Sequence, residues 1–249
     1  MLQIWSYSLT SVLIVSLISF VGAVCLVIKL DKLKKILIFF VSFSAGALLG
    51  GAFFHLLPEA VGNMGFDYRV SFSLISGIFL FFILEKYVHW RHCHEPTSET
   101  HPHHLGKMNL IGDGLHNFID GLIIASSYLA SIPLGIATTL AIIFHEIPQE
   151  ISDFGVLLHS GYSKSKAIIY NLISASIAFV GVIISLILGD QIEGLTNFII
   201  PIAAAGFIYI ATADLIPELH KETKMSKSIL QLVSFAVGVG VMYLLTIIE

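Results

Sequence analysis

Apolar residues along the chain gather into eight blocks, at about residues 8 to 29, 36 to 57, 70 to 90, 108 to 130, 134 to 158, 167 to 189, 197 to 218 and 228 to 248. Each is close to the roughly 20 residues a helix needs to cross ~30 Å of hydrocarbon. Lipid offers backbone amides and carbonyls no partners, so segments of this length are predicted to be α-helices. The first block follows MLQIWSYSLT, which lacks the basic start and small-residue cleavage site of a removable leader, and it is read as a span. The pattern predicts an all-α integral membrane protein of eight transmembrane helices, with residues 1–249 forming one transmembrane domain.

Composition and charge sharpen that picture. With 56% apolar residues, 12% charged residues and a mean hydropathy of +0.89, the 249-residue chain is too hydrophobic for an ordinary soluble domain. When the connections are numbered alternately, Lys29, Lys32, Lys34, Lys35, Lys86, Arg91, Lys107, Lys164, Lys166, Lys221, Lys224 and Lys227 fall on one side and Arg69 alone on the other. By the positive-inside rule the lysine-bearing side is cytoplasmic and both termini are extracytoplasmic. Compact loops suit a multi-pass protein of a prokaryotic plasma (cell inner) membrane. The lipid bilayer is thus a partner, and no nucleic acid is expected. Cys25 falls in a span and Cys93 in a predicted cytoplasmic loop, so the two make no disulfide framework.

The second and seventh blocks echo one another. AGALLGGAFFHLLPEA (45–60) and AAGFIYIATADLIPEL (204–219) share a small-residue start and end HLLPE against DLIPE. Among eight spans these two run in opposite directions, which is the mark of an inverted repeat, here a 3+2+3 arrangement.

Ionisable groups inside a span cost at least ~2.5 kcal/mol each on insertion scales, so they are kept where they face a partner or a watery cavity. They cluster in two consecutive blocks. IGDGLHNFIDGL carries Asp113, His116, Asn117 and Asp120, and HEIPQE carries His145, Glu146, Gln149 and Glu150. At 3.6 residues per turn, His116 stacks on Asp120, His145 on Gln149 and Glu146 on Glu150. Facing the first two ladders gives two imidazoles, one carboxylate and one amide oxygen, a donor set suited to zinc or another late first-row divalent ion. Asn117, Glu146 and Glu150, one step around the helices, are read as a second, more oxygen-rich position. Pro148 has no N–H for the carbonyl of Phe144, so the fifth helix is expected to kink and aim that freed carbonyl at the cluster.

These residues carry a family resemblance. HNFIDG, HEIPQE followed by SDFGVLLHSG, HLLPEA and DLIPEL resemble the ZIP (Zrt-, Irt-like protein) metal transporters over essentially the whole chain. The nearest pattern is the subgroup whose fifth span usually reads HEIPHE or HELPHE. The resemblance implies uptake of divalent metal, zinc foremost with cadmium, iron or manganese as further substrates, through a two-metal site between the fourth and fifth spans. It implies His116, Asp120, His145 and Gln149 for one position, and Asn117, Glu146 and Glu150 for the other, with Asn171 nearby. A homodimer is implied as well, with the first, fourth, fifth and sixth spans moving against the rest. Gln149 departs from the pattern, since a neutral amide stands where the subgroup has histidine.

Asp113, His55, Glu59, Asp214, Glu218 and His220 lie near predicted helix ends and are candidates for guiding ions. Helix capping and snorkelling account equally well for Glu218 and His220. A metal sensor or metal-gated channel would use the same ligands. An intramembrane metalloprotease would need H-E-x-x-H, whereas this motif ends in Gln149, so no enzyme is expected. The loop RHCHEPTSETHPHH is read as a weak metal binder. Lacking fixed geometry, it cannot preorganise a transport site. Deleting residues 92–104 is therefore expected to leave maximal metal uptake largely intact, and complete loss of uptake in a correctly folded deletion would place the loop in the pathway.

Overall fold

Backbone groups in so apolar a chain have to bond within their own segment. The computed structural model describes residues 1–26, 30–65, 67–90, 102–192 and 194–247, and these form helices and short turns with no strand among them. Residues 91–101, with Cys93 and much of the histidine-bearing loop, lie outside the described residues, as do the side chains of Cys25 and His89. In chain order the helices are α1 (Leu2–Ile18, continued by a 3-10 segment, Ser19–Leu26), α2 (Leu30–Gly50, Gly51–Leu56 and Leu57–Met64), α3 (Tyr68–Trp90), α4 (Pro102–Ala130), α5 (Ile132–His159), α6 (Lys164–Ala175 and Ala178–Gln191), α7 (Leu195–Tyr209, Ile210–Leu215 and Ile216–Leu219) and α8 (Met225–Leu245).

Six of these, α1, α2, α3, α6, α7 and α8, are long and apolar enough to cross a membrane. The other two, α4 and α5, have the length, at 29 and 28 residues, but the His, Asp, Asn, Glu and Gln residues of their inner faces dilute their apolar character. α1 begins at Leu2 rather than near residue 8, because Trp5 and Leu9 pack against the cluster of Val12, Ala125, Ala178 and Val182. α6 is interrupted at Ser176–Ile177. The Ser176 hydroxyl donates to the Leu172 carbonyl at 2.6 Å, and the amides of Ile177 and Phe179 reach back only three residues.

α4 and α5 form a hairpin capped by Ser131, whose hydroxyl accepts from the Leu134 amide at 3.2 Å. The outer helices pack in two equivalent pairs, α2 with α8 and α7 with α3. In each of α2 and α7 a six-residue π segment, Gly51–Leu56 or Ile210–Leu215, lies just ahead of a Pro-Glu step. These two segments coincide in the alignment of the echoing sequences. Their cause is common, since Pro58 and Pro217 leave the carbonyls of Phe54 and Ala213 without an i+4 donor, and the helix widens to compensate.

Close backbone approach fixes the outer pairs, as expected where lipid supplies no hydrophobic drive between helices. A Cβ at Gly238 of α8 would lie 2.2 Å from the Phe43 carbonyl of α2, and one at Gly77 of α3 would lie 3.0 Å from the Ile202 carbonyl of α7. Phe43 and Ile202 each lie two residues ahead of the echoing segments. Gly240, two residues along α8 and on the opposite face, meets nothing within 4 Å. Gly238→Ala is expected to cost about 1–3 kcal/mol of overpacking and to lower the melting temperature of the detergent-solubilised protein, while Gly240→Ala leaves it unchanged or raised.

Candidate metal site between the fourth and fifth helices

The hairpin of α4 and α5 brings four ligand-type side chains to one point. His116 and Asp120 stack one turn apart on α4, and His145 and Glu146 follow one another on α5. Their ligand atoms all lie within 4.8 Å of one another. His116 Nε2 is 3.1 Å from His145 Nε2, 3.6 Å from Asp120 Oδ2 and 3.4 Å from Glu146 Oε1. His145 Nε2 is 3.4 Å from Asp120 Oδ2 and 3.8 Å from Glu146 Oε1. A tetrahedral zinc ion with bonds of about 2.0–2.2 Å sets neighbouring donors about 3.3–3.6 Å apart. The five separations from the two imidazoles, 3.1 to 3.8 Å, bracket that range.

The hydrogen bonding fits a cation. His145 Nδ1 lies 3.1 Å from the Ala141 carbonyl, so Nδ1–H donates there and the Nε2 lone pair is left to face the cluster. A shared proton can serve one or two of the facing atoms. A dication serves all four. Asp120, His145 and Glu146 are sealed, whereas the His116 side chain keeps 18% of its surface exposed, so the point is approached from the His116 side.

A second set of polar groups lies alongside. The Asn117 amide donates to the main-chain carbonyl of Asp113 at 3.1 Å and to Asp113 Oδ1 at 2.9 Å. The Asn171 amide, from α6, donates to Glu150 Oε2. Seven buried oxygens in the two sets have no hydrogen-bond partner: Asp113 Oδ2, Asn117 Oδ1, Asp120 Oδ2, both carboxylate oxygens of Glu146, Glu150 Oε1 and Asn171 Oδ1. Among the described residues no lysine or arginine pairs with these carboxylates. Buried acceptors without donors are costly, and one or more cations would answer them all.

Glu146 lies with His116, Asp120 and His145 in one group, closer to His145 than the ladder spacing alone implied. The Gln149 amide nitrogen donates to Asp113 Oδ1 at 3.4 Å. One sequence expectation is corrected: the Phe144 carbonyl freed by Pro148 has another partner. The buried Ser44 hydroxyl of α2 donates to it, which fixes the backbone just ahead of His145.

A cavity of about 270 Å³ adjoins the site on the side of the lysine-bearing connections, lined among others by Glu85, Asp113, His116, Gln149, Asp153 and Asp214. Asp214 was singled out in the sequence. Glu85 and Asp153 were not, although Glu85 is the one acidic residue in the third apolar block and Asp153 extends the α5 row of Glu146 and Glu150 by another turn. Glu85 accepts a hydrogen bond from the Tyr209 hydroxyl of α7. The other candidates at helix ends sit apart. His55 is buried with Nε2 2.8 Å from the Met242 carbonyl, Glu59 accepts from Asn63, and Glu218 pairs at the surface with Lys221.

Removing one of the four converging ligands should cost more than the ~10–100-fold in metal affinity typical of outer-shell changes. Zinc titration of the purified protein is expected to show losses above about 100-fold for His145→Ala and Glu146→Gln, with Glu59→Gln, away from the site, close to the parent.

Comparison with known proteins places this geometry in context. The profile of the ZIP zinc transporter family matches residues 2–108 and 94–246. The zinc transporter zipt-7.1 of Caenorhabditis briggsae is 31% identical over all of this chain and 80% of its own length. The metal cation symporter ZIP14 of Bos taurus is 28% identical over 98% of the chain and 68% of its own length. The zinc transporter ZIP10 of Danio rerio is 40% identical over 57% of the chain, which there spans only 18% of the relative.

Proposed function

The chain belongs to the ZIP zinc transporter family, and from that premise we propose that it carries divalent metal, zinc foremost, across a membrane into the cytoplasm. The observation that carries the reading is the set of five ligand separations between 3.1 and 3.8 Å among His116, Asp120, His145 and Glu146. Two imidazoles and two carboxylates form a borderline donor set that favours zinc, with cadmium, iron and manganese as poorer substrates. The ion, stripped of most of its solvent shell, occupies this tetrahedron. Asn117, Glu146 and Glu150 form a second, more oxygen-rich position, with Asn171 bonded to Glu150 beside it, and Asp113 guides ions at the cavity edge.

In this reading all eight helices span the bilayer of a plasma membrane as one domain, with both termini outside. The lysine-bearing connections support that orientation, and under it the 270 Å³ cavity faces the cytoplasm, so the site is open inward. The matching π segments of α2 and α7 support a 3+2+3 inverted repeat, the arrangement through which many carriers present one site to two sides. The working unit is a homodimer, as the family resemblance implies. A protease is disfavoured by the missing second histidine of its motif, and the relatives are transporters.

Reconstitution into liposomes loaded with a zinc-sensitive dye tests the proposal. Uptake is expected to saturate with zinc concentration and to fall to background in His116→Ala and His145→Ala, both still inserted. Near-normal uptake by either variant would overturn the site, and flux rising linearly with concentration would make the protein a channel.

A further inference from the structure

The register of the α4–α5 hairpin shows which residues lie opposite one another beyond the ligands. Asp120 Oδ2 faces His145 Nε2 at 3.4 Å, and at the turn the Ser131 hydroxyl faces the Leu134 amide at 3.2 Å. Asp120 precedes Ser131 by as many residues as Leu134 precedes His145, so one antiparallel register holds from the ligands to the turn. Within it Ser127 and Thr138 are opposite partners. Each stands seven residues, two helical turns or about 10 Å, from Asp120 or His145. Ser127 therefore continues the stripe of His116 and Asp120, and Thr138 continues the stripe of His145 and Gln149. The helices touch at this level, since a Cβ at Gly135 would lie 2.1 Å from the Tyr128 ring.

Both residues are only 1% exposed, and among the described residues neither hydroxyl has a hydrogen-bond partner. Their neighbours all do. The Ser126 hydroxyl lies 2.8 Å from that of Ser185, and the Thr139 hydroxyl donates to the Gly135 carbonyl one turn back at 2.7 Å, as a threonine within a helix ordinarily does. A third buried hydroxyl without a partner, Ser8 of α1, is one turn from Ser11, whose hydroxyl is 2.8 Å from that of Tyr128. An unmatched buried hydroxyl costs about 1–3 kcal/mol. Alanine and valine would fill the same places without that cost, and a local rule broken in this way points to function.

The pair lies on the turn side of the ligands, whereas the cavity opens on the other. Ile124 and Ala141, both fully buried, fill the turn between the pair and the ligands, so this half is closed. We propose that Ser127 and Thr138 form an outer hydroxyl step that receives the hydrated divalent ion before the four ligands strip it. Water bound to a dication is a strong donor, and a hydroxyl oxygen has lone pairs to accept from it. Two neutral acceptors guide such an ion without trapping it, as a pair of carboxylates would. The inference rests on the transport reading above and adds the side from which the ion comes.

Three measurements on the full-length protein test it: zinc uptake in liposomes, equilibrium zinc affinity in detergent and melting temperature. Ser127→Ala and Thr138→Val are each expected to lower kcat/KM for uptake about threefold to tenfold, the scale of one net hydrogen bond, and to leave affinity within about twofold. Their melting temperatures stay unchanged or rise, because each variant loses an unmatched buried hydroxyl. Thr138→Ser keeps the hydroxyl and should transport like the parent, and so should Thr139→Val, whose hydroxyl serves only its own helix. A lowered melting temperature in either hydroxyl-free variant would make the pair structural and overturn the inference. Unchanged kcat/KM in both would overturn it too, as would an affinity loss above about tenfold, the range of residues that support a metal site directly. An equal loss in Thr139→Val would trace the effect to shape at the turn and overturn it as well. If the parent shows no saturable uptake, the transport reading falls and this inference with it; if the parent transports and both variants match it, only this inference falls.

Discussion

Seven buried oxygens without hydrogen-bond partners lie on the inner helices of an apolar bundle, and the Nε2 atoms of two imidazoles face each other among them. That imbalance is the constraint on which the rest depends. In hydrocarbon it is paid for only if the groups face one another, if the helices bearing them are shielded from lipid, and if a cation visits. The first two conditions have visible counterparts. The four ligand atoms lie within 4.8 Å of one another, α4 and α5 close as a hairpin through Ser131, and α1, α2 and α6 pack around α5.

Pro58, Pro148 and Pro217 each free a carbonyl, and it is handled in two ways. In α2 and α7 the helix widens into a π segment. In α5 the helix runs on unbroken through Pro148, and a neighbouring helix supplies the missing donor through Ser44. The second solution ties the ligand-bearing helix to a helix of the outer pair at the residue before His145. Position of the ligand and position of the surrounding frame are coupled through one hydrogen bond.

Much of this was legible in the sequence, and the boundary of legibility is physical. Block length and lipid chemistry foretold the helices, and 3.6-residue spacing foretold that His116, Asp120 and His145 share a seam. Spacing fixes which face a residue occupies but not which partner its side chain selects. The approach of Glu146 to the two histidines was therefore not foretold, nor was the hydrogen bond from the Gln149 amide to Asp113 on the opposite helix. Ser44 was invisible for a related reason: its partner is 100 residues away, and nothing about one serine in a run of small residues marks it. Glu85 and Asp153 left a signal, a lone acidic residue in an apolar block and a third turn of a carboxylate row, but their roles become clear only when the cavity is seen.

The size of that cavity bears on the cost of letting an ion go. At about 30 Å³ of liquid per water molecule, 270 Å³ accommodates on the order of nine waters. An octahedral aqua complex needs six. Under the proposed function, a divalent ion stepping away from the two histidines would thus find room for a full hydration shell between protein walls. Coordination would be exchanged for hydration ligand by ligand before the ion reached the open side.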